Sequence, residues 1–215
     1  MTYYIVNGSP RTNFNTKQLL EKTAEGIKRI KENNRVEMID LYKLNYKGCM
    51  ACFNCKLKEG SFYGKCPIRD DLGELLEKMW ESDGIIIGSP VYFGNLTGET
   101  RSFMERLIFP KFHYGEGKIL ERELPVGIIV SMNLNPENGG LCYDKTIFEP
   151  INAFLESTFS KPEILKVYDT YQFKDYDLYE NQIFSKEHKQ QVREENFPKD
   201  LQKAYELGRT IAKKG

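Results

Sequence analysis

The sequence is poor in several features that would otherwise narrow its function. It has no excess of either charge: 31 lysines and arginines face 31 aspartates and glutamates. A basic nucleic-acid surface or a polybasic membrane anchor is therefore not expected. No apolar run approaches the roughly 20 residues needed to cross a bilayer. The start, from Met1 to Arg11, passes from a short β-rich run into a turn, without the basic stretch and long apolar segment of a secretory leader. The cytoplasm is the compartment expected, and cysteines there are reduced thiols or metal ligands rather than disulfides. Histidine is scarce. Neither His113 nor His188 has a cysteine, serine or second histidine spaced as in a triad or metal pair, so both read as structural or exposed. Internal repeats and low-complexity linkers are absent. At 40% hydrophobic and 29% charged over 215 residues, the composition suits one folded domain spanning residues 1–215.

What is present is an alternation of apolar strands and amphipathic helices. Tyr3 to Val6 is a β-rich run that stops at the turn formers Asn7-Gly8-Ser9-Pro10. Leu20, Ala24, Ile27 and Ile30 then recur at helical spacing, so a helix is expected from Thr16 to about Lys31. Val36 to Leu41 reads as a second strand. Leu72, Leu75, Leu76 and Met79 stripe the next helix, with Asp70-Asp71 as its expected cap. Gly84 to Gly88 is a continuous apolar run of the kind found in a central parallel strand. Phe103, Met104, Leu107 and Ile108 give another helical face, and Val126 to Val130 another buried strand. Ile147 to Leu155 marks a helix, Glu163 to Tyr168 a fifth strand, and Leu201 to Ile211 a closing helix. The polar, tyrosine-rich segment from about 169 to 198 is an excursion: a lid, an arm or a long surface loop. Within it, Lys186 to Glu195 mixes both charges and reads as a solvated helical face. Such alternation implies βαβ units and a parallel α/β sheet.

In an open parallel sheet the ligand lies beyond the carboxyl ends of the strands. The first loop to consider runs from Asn7 to Thr16. Phosphate binding needs small or hydroxylated residues with a helix N-terminus behind them. This loop offers hydroxyls at Ser9, Thr12 and Thr16, amides at Asn7, Asn13 and Asn15, and a cation at Arg11. With a single glycine it is neither the dinucleotide fingerprint nor a Walker loop. A strand–turn–helix whose polar residues only cap the helix is the other reading.

Asn7-Gly8-Ser9-Pro10-Arg11 with Asn15-Thr16 resembles the FMN phosphate loop of the flavodoxin-like NADPH-dependent FMN reductases and related iron–sulfur flavoproteins. The resemblance implies that Ser9, Arg11, Asn15 and Thr16 grip the FMN phosphate. It also implies a flavodoxin-like three-layer sandwich with a five-stranded parallel sheet in the order 2-1-3-4-5. The second loop, Ser89-Pro90-Val91-Tyr92-Phe93-Gly94-Asn95, resembles the same family's isoalloxazine loop. There Pro90, Val91, Tyr92 and Phe93 supply an apolar wall, and Gly94-Asn95 a close backbone approach. A hydrophobic plug at the sheet edge is the plainer alternative. The third loop, from Ser131 to Gly140, is polar and glycine-rich, and the resemblance carries over only Ser131 and Asn133 as ring contacts.

Between the second and third strands lie Cys49, Cys52 and Cys55, with Cys66 eleven positions further on. Two consecutive C-x2-C steps plus a separated fourth cysteine resemble the ligand pattern of a [4Fe–4S] cluster. The family's last spacing is shorter, and this chain inserts Lys58 to Gly64 before Cys66, though a longer loop costs little entropy to close. Four thiolates on zinc, a redox-active dithiol and the remnant of a lost cluster stay open as readings of this loop, at about 48–67. Cys142 stands apart and reads as a small buried hydrophobe.

The resemblance implies an FMN oxidoreductase that passes reducing equivalents from NAD(P)H through flavin to a quinone, flavin or other acceptor, as a homodimer or homotetramer. No side chain is demanded as acid or base, and Tyr92 is the one candidate. The rival is an electron-transfer protein in which flavin and cluster relay single electrons between partner proteins.

Overall fold

In the computed structural model, which describes residues 1–115 and 117–215, strand β1 (Thr2–Asn7) lies inside the sheet. Tyr3, Tyr4, Ile5 and Val6 are all buried, as a run covered on both faces must be. β1 pairs in parallel with β2 (Arg35–Asp40) and with β3 (Gly84–Tyr92). A two-residue strand β4 (Asn95–Leu96) follows. Then β5 (Val126–Ser131) pairs in parallel with β3, and β6 (Glu163–Val167) with β5. The order is β2-β1-β3-β5-β6. Counting the parallel strands alone, this is the flavodoxin-like order expected.

The sheet departs from the expected five strands at β4, which runs antiparallel to the end of β3, with Val91 opposite Leu96 and Tyr92 opposite Asn95. β3 therefore continues to Tyr92, past the turn anticipated at Ser89-Pro90. Phe93 and Gly94 close the hairpin with φ of 47° and 77°. Positive φ at both central positions is the type I′ pattern, whose twist matches that of the strands; glycine takes it freely, and a phenylalanine does not.

Strand residues alternate between two cores. Tyr3, Ile5, Ile86 and Ile129 pack under helices α1 (Asn15–Ile30) and α7 (Phe197–Lys214), against Leu19, Leu20, Ile27, Leu207 and Ile211. Tyr4, Val6, Ile85, Ile87 and Ile128 face the opposite layer. That layer comprises α2 (Gly73–Trp80), α3 (Gly98–Ile108) and a π-helical stretch (Asp144–Phe148) leading from α4 (Pro136–Tyr143) into α5 (Glu149–Thr158). The closing helix α7 starts a turn earlier than its apolar stripe indicates. Among the described residues no helix is long and apolar enough to cross a membrane.

α1 and α7 approach backbone to backbone. A Cβ on Gly26 would lie 2.0 Å from the Tyr205 carbonyl oxygen, and one on Gly208 would lie 2.1 Å from that of Thr23. Alanine in place of a helical glycine gains up to about 1 kcal/mol of propensity, but forcing packed backbones apart costs about 1–3 kcal/mol. The clash wins here because neither carbonyl can rotate away. Gly26→Ala should lower stability in urea unfolding, despite alanine being the better helix former.

Three sequence expectations need correction. Residues 136–143 are not a glycine-rich loop but α4, started by Pro136 and capped by Asn135, whose Oδ1 accepts from the Asn138 N–H at 3.0 Å. Asp70-Asp71 does not cap α2, whose N-cap is Leu72. Asp70 Oδ1 instead accepts from the Leu72 N–H at 3.1 Å, its other oxygen pairs with Arg106, and Asp71 accepts from the Asn45 N–H at 2.7 Å. The third concerns α6 (Lys186–Glu195), which is mostly solvated as expected, yet Lys189 is buried.

Candidate functional site

A cavity of about 320 Å³ opens at the carboxyl ends of the strands and collects residues from three loops. Ser9, Arg11, Asn15 and Thr16 reach it after β1, Pro90, Val91, Tyr92 and Phe93 at the end of β3, and Ser131 and Asn133 after β5. Gly94 and Asn95 do not line it. Gly94 is spent on the hairpin, and Asn95 accepts from the Leu96 N–H and faces another cavity.

The three loops are bound to one another. The Gly8 N–H donates to the Gly88 carbonyl at 2.7 Å. The Thr97 hydroxyl donates to the Gly8 carbonyl at 2.8 Å, and the Thr97 N–H donates to Ser89 Oγ at 3.2 Å. The hydroxyls of Thr16 and Ser131 share a hydrogen bond of 2.8 Å. A Cβ on Gly8 would sit 1.8 Å from Thr100 Oγ1, so only glycine lets the first loop pack on α3.

The N-terminus of α1 opens on the cavity without a cap. Its N-cap is Phe14, which has no acceptor, and its first turn holds no acidic residue. By contrast α3, α4 and α6 are capped by Thr97, Asn135 and Ser185. The polar residues of the first loop therefore do not serve as helix caps, and the first-turn N–H groups with their positive dipole end are left for an anion.

Beneath this loop, Asp40 accepts from Asn7 Nδ2 at 3.0 Å and from Lys17 Nζ at 2.9 Å, and pairs with Lys43. Burial pushes its carboxyl up, but the hydrogen bonds from Lys43, Asn7 and Lys17 outweigh burial and hold it down from 3.8 to about 2. A lowered folded-state pKa stabilises at pH above the unfolded value, and that stability is lost as pH falls through the folded one. The shift corresponds to about 2 kcal/mol. Asp40→Asn should abolish the part of the acid destabilisation that falls between about pH 4 and pH 2, as read from denaturant midpoints across pH.

One wall of the cavity was not legible in the sequence: Thr170, Tyr171 and Gln172, just beyond β6. Arg11 donates to the Gln172 carbonyl, Asn15 Nδ2 to the Tyr171 carbonyl at 2.7 Å, and Asn133 Nδ2 to Gln172 Oε1 at 2.6 Å. Lys189 fixes this wall from behind, donating to the Asn133 carbonyl at 2.7 Å and to Asp169, which sits at φ 55°. His188 is exposed and pairs with the same aspartate at 2.6 Å. The rule that placed ligands beyond the strand ends applies to β6 as well, and would have pointed here.

The cysteine loop packs on α3, where the Cys49 N–H donates to Glu105, and none of its cysteines lines the three-loop cavity. Cys49 and Cys52 are exposed, Cys66 is half-buried and Cys55 is buried. Ala51 and Phe53 both take left-handed backbone, which turns the chain twice between the first and third cysteines. The inserted residues fold on themselves, and the Gly64 N–H donates to the Cys55 carbonyl at 3.0 Å, bringing Cys66 back toward it. Burial pushes the Cys55 thiol up; Lys56 opposes this, and the sulfurs of Cys49, Cys52 and Cys66 reinforce it. Among the described residues no three His, Cys, Asp or Glu side chains form a ready-made site for a metal ion. Next to Cys66, the fully buried Arg106 has an Nε–H with no hydrogen-bond partner among the described residues. Cys142, expected in the core, is exposed because α4 presents it outward. A second, apolar cavity of about 840 Å³, which the sequence did not indicate, lies between this loop, α3 and α5, lined by Cys49, Phe53, Leu96, Met104, Phe109 and Ile151.

Comparison with known proteins bears on this arrangement. The profile of the NADPH-dependent FMN reductase family matches residues 1–134, more than half of the chain. The chain belongs to that family. The matched stretch includes the first two loops, the cysteine loop, and Ser131 and Asn133, whereas the 170–172 wall and α6 lie beyond it. An iron–sulfur flavoprotein of Methanocaldococcus jannaschii is 41% identical over 101 residues, 47% of this chain and 49% of that protein. One of Archaeoglobus fulgidus is 41% identical over 106 residues, 49% of this chain and 48% of that protein. The match thus spans about half the length of these relatives. Among solved structures, an NAD(P)H:quinone oxidoreductase from Methanothermobacter marburgensis superposes with a TM-score of 0.68 at 15% identity, covering 98% of this chain and 96% of that one. At that identity the likeness is one of fold.

Proposed function

We propose that this family member is an FMN-dependent oxidoreductase that takes reducing equivalents from NAD(P)H and delivers them to a quinone, flavin or other small acceptor. The observation that carries this reading is the meeting of three loops in one cavity with chemically different linings. Ser9, Arg11, Asn15, Thr16 and the uncapped N–H groups of α1 suit a phosphate. Pro90, Val91, Tyr92 and Phe93 form a largely apolar wall for a flat ring, while Ser131, bonded to Thr16, and Asn133 add polar atoms to the same cavity. FMN, when bound, supplies the hydride and electron chemistry, and the protein supplies grip, orientation and electrostatics. Arg11 and Asn15 now donate to the carbonyls of Gln172 and Tyr171. Gripping a phosphate therefore exchanges those bonds for charge-assisted ones at the same donors. Protein loaded with FMN should oxidise NADH or NADPH when offered quinone, dye or flavin acceptors. No oxidation with any of them would exclude this reading.

A second reading is favoured by the cysteine loop: Cys49, Cys52, Cys55 and Cys66 hold a [4Fe–4S] cluster that relays single electrons onward to a partner. The donor set suits it, with four thiols on one loop, one of them buried, beside a buried cation whose Nε–H lacks an acceptor among the described residues. α3 starts at the flavin loop and ends at the cysteine loop, so the two centres share one rigid element. Iron analysis of anaerobically purified protein separates this from zinc or free thiols: about four irons per chain are expected for the cluster.

A further inference from the structure

We infer that Arg106, on α3, is a positioning residue for the cysteine centre: it clamps the two ends of the cysteine loop together and presents a buried N–H to the sulfur at its exit. This rests on the reading that the four cysteines hold a cluster. Arg106 is 1% exposed. Its Nη1 donates to the Lys47 carbonyl at 3.2 Å, two residues before Cys49, and its Nη2 to the Ile68 carbonyl at 3.3 Å, two residues after Cys66. Nη1 also pairs with Asp70. One guanidinium thus ties the entry of the loop to its exit, which the planar fork of arginine can do and the single ammonium of lysine cannot. The neighbouring Glu105 adds a second tie, because its Oε2 accepts from the Cys49 N–H at 3.1 Å, and a Cβ on Gly48 would come within 2.7 Å of that oxygen. Consecutive residues of α3 therefore hold the first and the last cysteine.

The remaining donor, Nε–H, has no partner among the described residues although it is buried, and the Cys66 sulfur lies beside this guanidinium. A buried N–H without an acceptor is costly. A thiolate or sulfide at this point gives it one. Hydrogen bonds to the sulfurs are among the factors that set a cluster's reduction potential, and partners of the ligands are needed for metal retention. A purely structural ion pair with Asp70 would explain the burial of Arg106, but neither the orphaned Nε–H nor the paired carbonyls on either side of the loop.

The test compares wild type, Arg106→Lys, Arg106→Gln and Asp70→Asn, each purified anaerobically as the full chain. Iron and acid-labile sulfide, the cluster's midpoint potential from a dye-mediated titration, and far-ultraviolet circular dichroism are read for each. Arg106→Lys keeps the charge and should keep the cluster, with its potential shifted to more negative values. Arg106→Gln should fold yet retain less than about half the iron after chelator treatment, as loss of an outer partner typically costs at least tenfold in metal affinity. Asp70→Asn removes the ion pair but leaves the guanidinium, and should keep the wild-type potential. Wild-type iron and potential in both Arg106 variants would overturn the inference. So would an equal shift in Asp70→Asn, which would trace the effect to the ion pair. Wild-type protein without iron would overturn the cluster reading and this inference with it.

Discussion

Arg11→Ala should weaken FMN about tenfold, and riboflavin by less than about twofold, in titrations of the cofactor-free protein followed by flavin fluorescence. A charge-assisted hydrogen bond contributes about 1.5–3 kcal/mol. Arg11 is exposed, so water screens it, and the lower end applies; about 1.4 kcal/mol is a factor of ten. The comparison with riboflavin decides the cause. Arg11 also donates to the Gln172 carbonyl and lies 4.8 Å over the Phe14 ring, so its removal could loosen the cavity as a whole. A general loosening would weaken both ligands alike. Loss of a phosphate contact weakens only the ligand that has a phosphate, and equal losses would refute that role for Arg11.

On the cluster reading of the four cysteines, Cys55→Ser should remove the iron while leaving FMN binding intact. Iron should fall from about four per chain to less than about one, with FMN binding unchanged within about twofold, because no cysteine lines the three-loop cavity. Cys55 is the buried sulfur of the set. Serine is close in size, so the loop should still fold, and the hydroxyl is a poor ligand for iron where a thiolate is a good one. Cys142→Ser is the control. That thiol is exposed on α4, and its loss should change neither iron nor flavin.

The parts of the fold that the sequence disclosed are those where one physical signal dominates. β1, β3 and β5 are buried on both faces, so each reads as an unbroken apolar run ended by turn formers. α1 and α7 both pack on one face of the sheet, each burying a single side, and so each shows a helical stripe. The elements that went unseen are those in which two signals compete. Residues 136–143 contain an adjacent pair of glycines, which argued for a loop, yet Asn135 and Pro136 carry the start signal of a helix and prevailed. The β3–β4 hairpin hid behind Phe93, a residue that seldom takes positive φ. At the candidate site, local order was enough to find Ser9 to Thr16 and Pro90 to Phe93, because each loop directly follows a strand. Tyr171 and Gln172 became wall residues only through long-range bonds to Arg11, Asn15 and Asn133, which no local pattern reveals. Lys189 shows the same limit: in a charged helix it looks solvated, and only the placement of Asp169 beneath it makes burial tolerable.

The central claim is that the cavity between the three loops holds FMN. The measurement that tests it most directly is the visible absorption spectrum of the anaerobically purified protein, followed by identification of the flavin released on denaturation. About one FMN per chain is expected from a single site, and a broad absorbance near roughly 400 nm should underlie the flavin bands where the cluster is present. A protein that purifies without flavin and shows no saturable binding of added FMN would contradict the account, whatever its iron content.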